Sequence, residues 1–97
     1  MLSWLDATEA QKFGTSLAQF FMERMPLGFD QKEKKFAAKA QQVLVKMATQ
    51  AEQFKRGHKL NMYKKAKLGN AFKWALKDAG YETVYVDELT EWLMLRL

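Results

Sequence analysis

The chain has 97 residues, 48% hydrophobic and 28% charged, with 16 Lys plus Arg against 11 Asp plus Glu and a formal charge of +5. That length holds one domain with one core, burying roughly 60–68% of its unfolded surface. The near-average composition excludes disorder and collagen, and with no Cys and a single His the chain has no disulfide framework, thiolate zinc site or Cys nucleophile.

The start, Met1-Leu2-Ser3-Trp4-Leu5-Asp6, lacks the basic region and long apolar run of a signal peptide. The longest apolar runs, Phe20-Phe21-Met22 and Trp92-Leu93-Met94-Leu95, fall far below the ~20 residues of a membrane span. Both features, with the absence of Cys, point to a cytoplasmic chain without a membrane span.

Three breaks divide the chain into four segments: Pro26-Leu27-Gly28, Gly57-His58-Lys59 and Asp78-Ala79-Gly80. The first segment opens on Asp6-Ala7-Thr8-Glu9, which approximates a capping box. Ala10, Phe13, Gly14, Leu17 and Phe21 then recur at helical spacing, and the helix should end near Met25. A glycine on that apolar face costs about 1 kcal/mol in helix propensity, so Gly14 predicts a close approach of another helix.

The second segment, about residues 31 to 56, has no Pro or Gly. Phe36, Ala40, Val43, Met47, Ala51 and Phe54 form one stripe, with Leu44 beside it. Asp30 suits the N-cap, Gly57 a left-handed C-cap, and Lys55-Arg56 the negative end of the helix dipole. The third segment follows Asn61 as N-cap, presents Leu68, Phe72, Ala75, Leu76 and Ala79, and stops at Gly80. The short connection predicts an antiparallel hairpin of helices two and three over residues 31–79.

The last segment is ambiguous at its start. Thr83-Val84-Tyr85-Val86 has strand-like composition, but no second strand exists to pair with it. The expectation is a C-terminal helix beginning between Thr83 and Glu88, with Val86, Leu89 and Leu93 facing inward. The predicted fold is all-α: a small four-helix domain around a long central antiparallel hairpin.

The charge is uneven. Residues 1–30 carry two basic and four acidic side chains, a balance of −2. Residues 31–77 carry thirteen and two, or +11, and residues 78–97 one and five, or −4. Residues 53–77 hold eight cations and no acid. Within this block Lys55, Arg56, Lys59, Lys64, Lys65 and Lys67 are candidate anion or nucleic-acid ligands. Tyr63, Lys67, Asn70 and Trp74 share a stripe off the core face, so Tyr63 and Trp74 are candidate base-stacking residues. A solvated lysine face is the bland alternative, as is burial of both aromatics if helix three is covered on two sides. Lysine outnumbers arginine thirteen to three, against the usual preference for Arg in bidentate recognition.

No catalytic group is argued by spacing. His58 lies in a turn with no carboxylate beside it in sequence, and Ser3, Thr8, Thr15 and Ser16 sit in no nucleophile motif. The acids Asp78, Glu82, Asp87, Glu88 and Glu91 lack calcium-loop spacing. The expectation is therefore no enzyme, no cofactor and no metal.

The C-terminus carries more apolar residues than one stripe needs: Leu89, Trp92, Met94, Leu95 and Leu97 are candidate interface residues. Two functions follow. The first is a non-enzymatic interaction module, homodimeric or bound to a protein partner through this helix. The alternative is a nucleic-acid-binding accessory protein using the basic hairpin 53–77. An open positive face favours the second; acidic ends folded over that face favour the first.

Overall fold

Asp6 opens the first helix: its carboxylate accepts a 3.0 Å hydrogen bond from the Thr8 backbone N–H, although the residue at the cap position proper is Ala7. The computed structural model describes residues 6–27 and 34–97. Among these are four α-helices: α1 (Thr8–Arg24), α2 (Lys34–Gly57), α3 (Met62–Asp78) and α4 (Thr83–Met94). The fold is all-α, as the periodicity predicts. The expected cap Asp30 and the start of the second helix lie outside the described residues.

The helix ends follow local chemistry. The Asn61 side chain accepts a 2.8 Å bond from the Lys64 N–H and caps α3. Gly80 ends α3 at φ 99°, and the Tyr81 N–H returns to the Leu76 carbonyl at 3.2 Å, closing a Schellman turn. Gly57 departs from expectation. It is the last residue of α2 rather than a left-handed cap, because the only positive φ among the described residues belongs to Gly80. His58 instead turns its ring back on α2, with Nδ1 3.1 Å from the Phe54 carbonyl. The α4 start resolves at Thr83, with Val86, Leu89 and Leu93 buried as expected.

The helices alternate in direction. Gly14 of α1 lies against the Leu68 carbonyl of α3, and Tyr81, just past α3, bonds Met25 at the end of α1. Hence α1 and α3 run parallel. Phe13 stacks on Phe54 at 4.3 Å, and Phe36, at the other end of α2, meets Tyr85 at 5.7 Å. So α2 runs antiparallel to α1 and to α3. Met94 of α4 covers Gly69 of α3, and α4 runs back along it.

The closest pair is α1 with α3, then α3 with α4, while α2 rests more loosely on α1. Gly14 explains the first pairing: with no Cβ, it admits the α3 backbone. One core, including Leu17, Phe21, Met47, Phe72, Leu76 and Leu93, joins all four helices. Each such side chain contributes roughly 1.5–3 kcal/mol by burial. No helix among the described residues is long and apolar enough to cross a membrane.

Candidate nucleic-acid interface

The core residues of α3 are Leu68, Gly69, Phe72 and Leu76, which lie together on one side. At 3.6 residues per turn, Tyr63, Asn70 and Trp74 lie opposite them, with Lys67, Lys73 and Lys77 close by. The packing of α1 and α4 leaves this outer face open. Tyr63 is 43% exposed and Trp74 55% exposed. Burial of both aromatics, expected if α3 were covered on two sides, is therefore overturned.

Each ring has lysine beside it. Lys67 Nζ is 5.5 Å from the centre of the Tyr63 ring. Lys73 Nζ and Lys77 Nζ are 5.8 Å and 5.5 Å from that of Trp74. These are cation–π distances, modest in energy at an exposed site. Their importance is placement: an aromatic face and an ammonium are presented together, twice, on one helix.

The acidic ends leave this face largely uncovered. Lys59, Lys64, Lys65, Lys67 and Lys73 make no ion pair within 4 Å among the described residues. Lys77 is held by Asp87 at 3.1 Å, which marks the C-terminal border of the positive face. Lys55 and Arg56 both lean on Glu52, at 3.7 and 3.5 Å, one turn back on α2.

The rest of the basic block faces another way. Lys59 and Lys64 border an opening of about 300 Å³ at the end of the bundle, together with Asp6, Glu9 and His58. Hydrogen bonds from the Thr8 hydroxyl and N–H hold the Asp6 carboxyl below its ordinary pKa, and the Lys64 charge acts the same way. The sequence block 53–77 thus splits in space: an aromatic-lysine face along α3, and a turn where cations meet the acids of α1.

His58 lies over Phe54 with ring centres 4.0 Å apart. A carbonyl can only accept, so the Nδ1 facing the Phe54 oxygen carries the proton. Among the described residues no three or more His, Asp or Glu cluster as metal ligands would.

The apolar C-terminus is mostly occupied by the chain's own fold. Leu89 is buried, Met94 covers Gly69, and Leu97 packs on the core. Leu95 is 79% exposed. Trp92 is half-buried under the Arg96 guanidinium, 4.2 Å from the ring centre. It lines a groove of about 330 Å³ between α2 and α4, with Phe36, Leu44, Tyr85 and Leu89.

No protein family, curated protein or solved structure matches this chain. Two members of the outer α3 face escaped the sequence reading as ligands, Lys73 and Lys77. Lys77 carried a signal, since it stands three residues after Trp74, a spacing that brings helix side chains together; Lys73, one residue before, carried none of that kind.

Proposed function

We propose that this protein binds nucleic acid through the outer face of α3. The observation that carries the reading is the exposure of Tyr63 and Trp74 among Lys67, Lys73 and Lys77 on the side opposite the core. A folded chain normally gains by burying such rings; here two stand in water on a positive helix. Lysines supply the phosphate attraction, and exposed aromatics supply base contacts. Lys65 adds charge to the same helix, whereas Lys55 and Arg56 are paired with Glu52, and Lys59 and Lys64 face the turn shared with Asp6 and Glu9. The role is binding rather than catalysis.

The test is fluorescence anisotropy of labelled oligonucleotides, single-stranded and duplex, over a salt series. Binding should weaken linearly in log salt, with a slope near −0.7 per phosphate contacted on a single strand and −0.9 on a duplex. No binding of either at low salt rejects the proposal.

A second reading rests on the α2–α4 groove. Trp92 lines it, and Val45, 59% exposed, stands at an adjoining opening. Self-association there, with Leu95 at the end of the bundle, would bury these apolar groups. Sedimentation velocity across a concentration series tests it. A monomer at every concentration rejects it, and a dimer weakened by Trp92→Ala supports it.

A further inference from the structure

We infer that the nucleic acid on this face is a single strand, lying along α3 with one base on Tyr63 and another on Trp74. The inference rests on the binding reading above and names its substrate class.

Three observations separate a single strand from a duplex. First, duplex bases are already stacked on one another. A surface ring reaches a base face there only by unstacking a step, whereas an unpaired base is free to lie on it. Second, α3 contains no arginine. A helix that reads the major groove relies on forked donors such as Arg to reach base edges, while lysine acts as a point charge that tracks a backbone. Third, the same pairing occurs twice. Lys67 lies 5.5 Å from the Tyr63 ring and Lys73 lies 5.8 Å from Trp74, and neither makes an ion pair among the described residues, whereas Lys77 is taken by Asp87. A nucleotide offers a flat base and a phosphate on one short unit, so each ring-and-ammonium pair matches one nucleotide.

The spacing fits a strand. Eleven residues of helix separate Tyr63 from Trp74, about 16 Å of axial rise and close to three whole turns. At 3.4 Å per nucleotide in stacked geometry, that is about five steps, and fewer if the strand is drawn out. Between the rings the stripe carries Lys67 and the short, exposed Asn70, so no bulky apolar side chain stands on the path. The path is bounded beyond Lys77 by Asp87, which repels phosphate.

The experiment compares the intact chain binding oligo(dT), oligo(U) and a mixed-sequence duplex of equal length at one salt concentration. Single strands should bind at least about ten-fold more tightly than the duplex. Tyr63→Ala and Trp74→Ala should each weaken the strand by about five- to a hundred-fold, with the salt slope unchanged. Lys67→Ala and Lys73→Ala should each make the slope shallower by about 0.7. Circular dichroism confirms that each variant is folded, as expected for positions outside the core. Tighter binding of either single strand supports the inference, and the better of the two identifies the sugar. Equal or tighter duplex binding overturns it while leaving the nucleic-acid reading intact. Strand binding untouched by both alanine variants also overturns it. Binding of none of the three overturns the reading beneath it.

Discussion

The hydroxyl of Tyr81 donates a 2.6 Å hydrogen bond to the backbone carbonyl of Met25. Met25 follows the last turn of α1, where carbonyls run out of helical partners. The same ring sits edge-on to Phe21 at 5.8 Å. One side chain thus ties the α3–α4 turn to the end of α1. Tyr81→Phe keeps the ring and removes the bond. It should lower stability by about 1 kcal/mol and the melting temperature by about 4–8 °C, read by thermal denaturation.

Two glycines should respond to alanine with opposite signs. At Gly14 a Cβ would run into the Leu68 carbonyl and stand 3.2 Å from Ala71 Cβ. Backbone cannot step aside as a side chain can, so Gly14→Ala should force α1 from α3 and destabilise by about 1–3 kcal/mol. A Cβ at Gly57 would meet nothing within 4 Å, and the residue has no positive φ. Gly57→Ala should therefore stabilise, by up to about 1 kcal/mol of helix propensity. Chemical denaturation of both variants checks the pair; a stabilised Gly14→Ala would refute the close α1–α3 approach.

Alkaline pH should loosen the fold at Tyr85. Burial first, then the charge of Glu88 and the neighbouring Tyr81, push its phenol up to about 12 from an ordinary 10. The unfolded chain gives up that proton near pH 10, while the folded chain keeps it to about 12. The raised value therefore adds stability below pH 10, and this is lost progressively between pH 10 and 12. Denaturant midpoints across that range should fall, and less so in Tyr85→Phe. Phenolate absorbance should show Tyr81 and Tyr85 both titrating above the ordinary range, because burial raises each of them.

The Lys77–Asp87 pair should matter more for charge than for stability. It is half-exposed on the carboxylate side, and such pairs contribute up to about 1 kcal/mol. Asp87→Asn should leave the melting temperature within a few degrees. If α3 binds a strand, the same change frees Lys77 and steepens the salt slope by about 0.7.

The helices were legible because the apolar spacing of α1, α2 and α3 obeys a single period, and because Asn61 and Gly80 are placed where their chemistry caps a helix. Gly57 misled, since a glycine after a basic turn is as compatible with a last helical residue as with a left-handed cap. The His58 ring folds back on Phe54 just beyond it, a contact with no sequence signature. Gly14 announced a close neighbour but could not name it, and the tight partner of α1 is α3. That pairing also decides the candidate site. Periodicity put Tyr63 and Trp74 opposite the core face, but their exposure depends on which sides of α3 its neighbours cover. Leu89 and Met94 were drawn inward for the same reason: α4 packs on α3, where Gly69 leaves room for the Met94 thioether.

The union of α1 with α3 has a consequence for how the chain is made. Synthesis delivers α1 and α2 first, yet these two hold each other only loosely. The glycine notch of α1 must wait for Leu68, more than fifty residues later, before it is filled. Until then the apolar side of α1 is open, and the growing chain has no firm native pairing to settle into. Closing so long a loop carries an entropic cost that local hairpins avoid. Assembly should therefore come late and almost at once, when α3 arrives, rather than helix by helix.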